Sequence, residues 1–310
     1  MRWVTYLSPA DGTEHVGVLD GNRLHGSASP ARLIDLLALP GDGMAEAGHM
    51  LLSDPGEVLA SEEAVLRAPV PVPPSIRDFM SFENHVVTAY GALGREVSPV
   101  WYEQPIFYFT NPAAVRAHRD PVEISPGSEQ FDYELEVAAV IGKPGSDIAP
   151  AEAAAHIAGF MMLCDWSARD LQTHETEVGL GPAKGKDSAT SFGPFLLTAD
   201  ELTERRSGRG YDLEMTASVN GALYSSGNLA DLSWSFEEMV AYASRGTRLL
   251  PGDVIGSGTV GTGCVLELSA VHGSDRFPWL RAGDEVRLAI EDLGAVEARV
   301  EPARPVQPLR

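Results

Sequence analysis

The stretch Phe131-Asp-Tyr-Glu-Leu-Glu-Val-Ala-Ala-Val-Ile-Gly142 constrains this chain most, because it sets carboxylates along what otherwise reads as a buried strand. Val137 to Ile141 is an unbroken apolar run ending at a glycine, the pattern of a strand covered on both faces. Glu134 and Glu136 flank Leu135, so at the two-residue period of a strand they point the same way. At about 4 Å and an effective dielectric near 20, two such charges repel by roughly 4 kcal/mol, a cost that a cation between them turns into attraction. A bound divalent metal explains the pair. The alternative is an acidic sheet edge facing water, with Asp132 on the same face.

The balance of charge narrows the partners. A formal net charge of -21 over 310 residues, with no basic block, argues against nucleic acid or an anionic membrane, since either needs clustered Lys and Arg to meet phosphate. A hydrophobic content of 44% is enough for a sizeable core. Cys164 and Cys264 lie in apolar, strand-like contexts and are expected as buried free thiols, one pair being too few for a disulfide framework. The N-terminal MRWVTYLSPADG turns polar too early for a signal-peptide core, and no apolar run approaches a membrane span, so a cytoplasmic enzyme is expected.

Residues 1–70 read as a small leading α+β domain, with a hairpin turning at Asp20, Gly21 and Asn22 and a helix within Pro30 to Leu39. Four prolines in Ala68-Pro-Val-Pro-Val-Pro-Pro-Ser75 mark an extended connector, and residues 71–310 form the larger domain. Asp78 and His85 follow it. Glycines and prolines between 86 and 112 suggest a loop or lid. A helix is expected from Pro150 until Gly159, then a buried strand, Phe160-Met-Met-Leu-Cys, that delivers Asp165 at its end; Ser167 is the expected N-cap of a short helix holding Arg169, Asp170 and Gln172. Lys184 and Lys186 lie on a glycine-rich loop that lacks phosphate-loop spacing, Gly181 and Gly185 being four apart, which argues against a nucleotide site. The remainder reads as short strands with a hairpin at Val219-Asn220-Gly221-Ala222, a helix near Ser235 to Ala243, and a flexible loop, Gly256 to Gly263, leading into a strand CVLEL that carries Glu267.

Together these pieces resemble the fumarylacetoacetate hydrolase family, and they keep the family's order over about residues 70 to 270. In DFMSFENH the resemblance implies Asp78 as a metal ligand and His85 as general base. In DYELEVAAVIG it implies Glu134 and Glu136 as metal carboxylates. DWSARDLQ is similar to a segment that gives a further ligand, Asp165, and substrate-holding groups, Arg169 and Gln172. Lys186 stands in the position of an active-site lysine, Thr259 in that of a substrate-contacting threonine, and Glu267 in that of the acid that orients the histidine. The implied fold is α+β, a mixed β-sheet roll or partly open barrel, commonly paired as a homodimer. Thr88 occupies the place of an acid found in many smaller members, which favours Glu267 as the partner of His85 and the fumarylacetoacetase-like branch. Met80 and Thr176 replace two tyrosines that the mammalian-type hydrolase sets against its substrate. The segment 88–104, with Trp101, Tyr102 and Glu103, and the pair His174-Glu175 are therefore expected to shape a different acyl pocket.

Four carboxylates without thiolate or imidazole suit Mg²⁺, or Ca²⁺ or Mn²⁺, better than Zn²⁺. The resemblance implies hydrolysis of a carbon–carbon bond in a 2,4-dioxo acid, with His85 activating water and the metal, Lys186, Arg169 and Gln172 stabilising the enolate. Decarboxylation, isomerisation or hydration of a related oxo acid uses the same constellation. A non-catalytic oxo-acid binder is a third reading, which the presence of both His85 and Lys186 disfavours.

Overall fold

The computed structural model describes residues 1–92 and 94–310. It is a mixed α+β fold built on large sheets. Among the described residues the larger is a 13-stranded sheet whose main path runs Glu57–Ala60, Arg23–Gly26, Glu14–Asp20, Arg2–Leu7, Leu196–Thr198, Ile157–Asp165, Leu135–Ile141, Val254–Gly256, Ile76–Phe79 and Phe107–Thr110. The two ends of that path do not pair with each other, so the sheet is open. The leading strands share it through Trp3, which pairs with Leu196. A second, 5-stranded sheet contains the hairpin Glu214–Val219 and Ala222–Asn228 together with Glu285–Ile290 and Gly294–Glu301. No helix of the described residues is long and apolar enough to cross a membrane.

The central strand Leu135–Ile141 is buried throughout, and its alternate residues enter two different cores. Leu135, Val137, Ala139 and Ile141 pack with Phe160, Met162 and Phe236, whereas Ala138 and Val140 pack with Trp3, Ile76, Met161, Leu163 and Val254 on the other face. That second face positions the site. Ile76, Val254, Val140 and Met161 lie on it, and stepping two residues at a time along each strand leads to Asp78, Gly256, Glu136 and Asp165. One face is thus apolar over most of its length and acidic at one end. Asp132, Glu134 and Glu136 are all buried, which rules out the solvated edge.

Both expected hairpins form. Asp20 pairs with Arg23 and Val219 with Ala222, leaving two-residue turns; Asn220 and Gly221 both have positive φ, as that turn requires. The helix Phe236–Ser244 begins at Ser235, whose hydroxyl accepts from Glu238 N while the Glu238 carboxylate accepts from Ser235 N. A helix at Leu33–Leu37 falls within its expected range. Cys164 and Cys264 are buried and unpaired.

Several expectations are corrected. The CVLEL segment is the start of a helix, Val265–His272, because the first backbone N–H groups of that helix are capped from afar by Asp132. Residues 86–112 are not one loop: Glu83–Ala92 is a helix, which buries His85, Val86 and Ala89, and Phe107–Thr110 is a sheet strand. Helix from Pro150 ends after Ala153, followed by one 3₁₀ turn, and Gly159 lies inside the next strand, where an added Cβ would sit 2.2 Å from Leu197 O. Ser167 is not a cap; its segment is a two-residue strand, and the helix Arg169–Thr176 starts after Ala168. The loop from Ser257 to Val260, expected as flexible, is buried and hydrogen-bonded.

Candidate active site

Asp78, Glu136 and Asp165 converge so that one oxygen of each lies within 4.8 Å of the others. Three strands bring them together. Gly256 pairs with Asp78 on one side and Ala138 on the other. Its lack of a side chain makes the room: a Cβ there would lie 2.6 Å from Asp78 Oδ1 and 3.4 Å from Glu136 Oε2. Glu136 is held in place by Gly258 N, which donates to its Oε2 at 3.0 Å, and by the Thr259 hydroxyl at 3.4 Å from Oε1.

Oxygens Oδ1 of Asp78 and Oδ1 of Asp165 are buried without a hydrogen-bond partner. Buried acceptors of this kind are costly unless something electropositive meets them. Burial pushes the Asp78 carboxyl up to about 6 and the Asp165 carboxyl up to about 8, and it drives Glu136 well above the carboxylate range, with Asp78 and Glu134 adding to the rise. Burial and mutual repulsion thus outweigh Lys186, which pulls the Asp78 and Asp165 values down. An all-oxygen donor set with orphaned acceptors fits a hard divalent cation of the Mg²⁺, Ca²⁺ or Mn²⁺ type.

Glu134 has a different environment. Lys186 Nζ and Arg169 Nη2 lie 2.5 and 2.8 Å from its two oxygens. Burial alone would raise its pKa, but Lys186, Arg169 and His85 outweigh burial and hold it ionised, below the usual range. Lys186 also donates to Asp165 Oδ2 at 2.6 Å and to Ser167 Oγ at 2.7 Å. Although burial disfavours the ammonium, Asp165 and Glu134 keep it charged. Expected as a ligand beside Glu136, Glu134 here ties the lysine and arginine to the edge of the acidic cluster.

His85 projects from the helix Glu83–Ala92, and its Nδ1 lies 3.0 Å from Glu267 Oε2 on the helix Val265–His272. Both side chains are buried, so the pair is shielded from water. Gln172 Oε1 accepts from Arg169 Nη1 at 3.3 Å. Asp78, Glu134, Glu136, Asp165, Arg169, Gln172, Lys186 and Thr259 are thus joined by direct contacts, and His85 and Glu267 form a second, buried pair. Met80 is half-buried and its carbonyl accepts from Trp101 Nε1 at 2.7 Å, which ties Trp101 to the strand end that carries Asp78, whereas Thr176 and His174 are exposed.

Tyr108 escaped the sequence reading, and Ser167, Glu175 and Asp132, read there in other roles, also support the site. Tyr108, cross-strand from Asp78, donates to Asp165 Oδ2 and to Asp78 Oδ2. Its position in the aromatic run FYF hid it, though the two-residue period sets it apart from Phe107 and Phe109. Ser167 accepts from Lys186. Glu175 accepts from the backbone N–H groups of Ala183, Lys184 and Gly185 and so shapes the lysine loop. Asp132 accepts from Val265 N at 2.7 Å, Leu266 N at 3.0 Å and Arg169 Nε at 2.8 Å, joining the Glu267 helix to the arginine.

The sequence profile described as fumarylacetoacetate (FAA) hydrolase C-terminal matches residues 75–301. Over 308 residues the chain is 28% identical to a Bos taurus protein named oxaloacetate tautomerase FAHD2B, mitochondrial, covering 97% of this chain and 91% of that one. It is 30% identical over 303 residues to a Burkholderia multivorans protein named a putative hydrolase, covering 95% and 96% of the two. Among solved structures, a probable 2-hydroxyhepta-2,4-diene-1,7-dioate isomerase from Mycobacterium abscessus superposes with a TM-score of 0.73 at 26% identity, covering 98% of this chain and 100% of that one.

Proposed function

From the premise that this chain belongs to the fumarylacetoacetate hydrolase family, we propose that it is a metal-dependent enzyme of 2-oxo acids that interconverts keto and enol forms, a tautomerase of oxaloacetate-type substrates. The observation that supports this reading is the buried His85–Glu267 pair together with the cluster of Asp78, Glu136 and Asp165, in which Oδ1 of both aspartates is buried without a hydrogen-bond partner. Asp78, Glu136 and Asp165 would hold a divalent ion, which when bound acts as a Lewis acid toward a 2-oxo acid.

The protein's own groups account for the proton transfer. Glu267 faces Nδ1 of His85 and leaves Nε2 as the nitrogen that takes a proton from C3 of the keto form. The proton lost from C3 is balanced by one gained at the C2 oxygen. Lys186, held charged by Asp165 and Glu134, supplies the positive charge that stabilises the enolate between those two transfers. Tyr108 and Arg169 fix the carboxylates around it. The relatives named tautomerase and isomerase support this reading of the site.

Hydrolysis of a carbon–carbon bond in a 2,4-dioxo acid is the second reading. It is favoured by the same histidine, which is equally suited to deprotonate water, and by the relative named a hydrolase. The two are separated by ultraviolet assay of the Mg²⁺- or Mn²⁺-loaded protein against enol-oxaloacetate and a panel of acylpyruvates, with and without chelator. Chelator-sensitive loss of enol absorbance with the keto isomer as sole product supports tautomerisation. Two acids recovered from an acylpyruvate, with no acceleration of oxaloacetate, establishes hydrolysis instead.

A further inference from the structure

We propose that Cys264, His85 and Glu267 form a second metal site, separate from the carboxylate cluster, that takes a soft or borderline divalent cation, Zn²⁺ above all. One ligand atom of each residue lies within 4.8 Å of the others. Cys264 Sγ is 3.5 Å and His85 Nδ1 is 3.0 Å from the same oxygen, Glu267 Oε2. A tetrahedral zinc with its usual bond lengths separates sulfur from oxygen by roughly 3.5 Å and nitrogen from oxygen by roughly 3.3 Å. Both contacts to Glu267 already stand at about those spacings.

A second observation points to a ligand. His85 Nδ1 is buried and, despite its closeness to Glu267, is off the line of a ring hydrogen bond, so it has no partner. The residue is 6% exposed, Glu267 2% and Cys264 0%. Backbone contacts make the site rigid: Cys264 bridges to Glu134, and Leu135 N donates to Gly263 O at 3.0 Å. A zinc ion with one thiolate, one carboxylate and one neutral imidazole is electrically balanced. Three protein ligands leave the fourth position to water.

The donor sets separate the two sites. Oxygen-only Asp78, Glu136 and Asp165 suit hard ions, whereas sulfur and nitrogen favour zinc, cobalt and cadmium. Mg²⁺ in excess therefore fills one and leaves the other open. Occupancy of the second site takes His85 out of proton transfer, so zinc inhibits; that consequence rests on the role proposed for His85, while the binding itself does not.

The test is a Co²⁺ titration of the full chain in excess Mg²⁺, read in the near ultraviolet for the thiolate-to-cobalt charge-transfer band and followed by Zn²⁺ displacement. The expected result is one equivalent of Co²⁺ with the band, bleached by Zn²⁺. The band is absent in C264S and C264A, both of which retain Cys164, and Zn²⁺ affinity in H85Q falls by at least the 10- to 100-fold that losing a supporting group costs elsewhere. Circular dichroism checks that the variants fold. Cobalt bound without the band, or a band that persists in folded C264S, overturns the proposal. Zinc bound with turnover undiminished would concern only the role of His85, whereas no zinc bound overturns the site.

Discussion

Asp132 and Arg169 form a buried pair in which Arg169 Nε donates to Asp132 Oδ2 at 2.8 Å, and the same carboxylate caps the helix that carries Glu267. One side chain thereby fixes the arginine beside Glu134 and the acid beside His85.

The first prediction concerns that carboxylate. Replacing Asp132 by Asn leaves Arg169 with an uncompensated buried charge on that side and replaces one acceptor by a donor. Breaking a buried pair costs about 3 to 5 kcal/mol, so D132N should lower the urea midpoint strongly. Turnover should fall further than metal affinity, because the disturbed helix carries Glu267 and not the carboxylate ligands. An unchanged midpoint would contradict the account of this residue.

Gly256 gives a second prediction. In G256A the new methyl group meets Asp78 Oδ1. Divalent-ion affinity measured by calorimetry should drop by about 10-fold or more, the scale on which groups supporting metal ligands act, while His85 and Glu267 are untouched. Equal affinity in the two proteins would mean that Asp78 binds the ion in another position.

The third prediction is the pH dependence of stability. Asp78 is raised to about 6 and Asp165 to about 8 on folding, above the ordinary range near 4. Between those values the native state binds more protons than the unfolded chain, so stability is greatest below the raised pKa values and is lost as pH climbs through them. The metal-free protein should melt at a lower temperature near pH 8.5 than near pH 5.5. Saturating Mg²⁺ or Mn²⁺ should stabilise most at the higher pH, where the ion displaces fewest protons. A metal-induced shift that grows toward acid would contradict it.

What was legible in the sequence follows from what is local. The alternation along Leu135–Ile141 and the turn at Asn220-Gly221 depend on neighbours one to three residues away, and both formed as read. The helix Val265–His272 did not, because its cap is Asp132, 133 residues distant, and the apolar CVLEL carries no local start signal. Likewise Ser167 looks like a cap by type, yet its hydroxyl accepts from Lys186 across the site. The helix bearing His85 contains Val86, Val87, Thr88 and Gly91, all weak helix formers, and is sustained by the burial of His85, Val86 and Ala89. Tyr108 was hidden for a related reason: its partners belong to two other strands. The acidic residues themselves were legible because carboxylates in a buried pattern demand an explanation.

A fourth prediction separates the lysine from the base. K186M removes the charge that meets Glu134 and Asp165. Enolate stabilisation should suffer in kcat, and Asp165 should become harder to ionise, so the metal should bind more weakly at neutral pH. Normal kcat in K186M would remove the lysine from the chemistry.

The most direct measurement is exchange of the C3 protons of a 2-oxo acid with deuterium from solvent, followed by proton NMR with the Mn²⁺- or Mg²⁺-loaded protein, its H85Q variant and a chelated sample. The account predicts exchange by the wild type that depends on the ion and falls by about 10² to 10⁴ in H85Q, the usual contribution of a general base, with ion binding retained. Exchange undiminished in H85Q would contradict it.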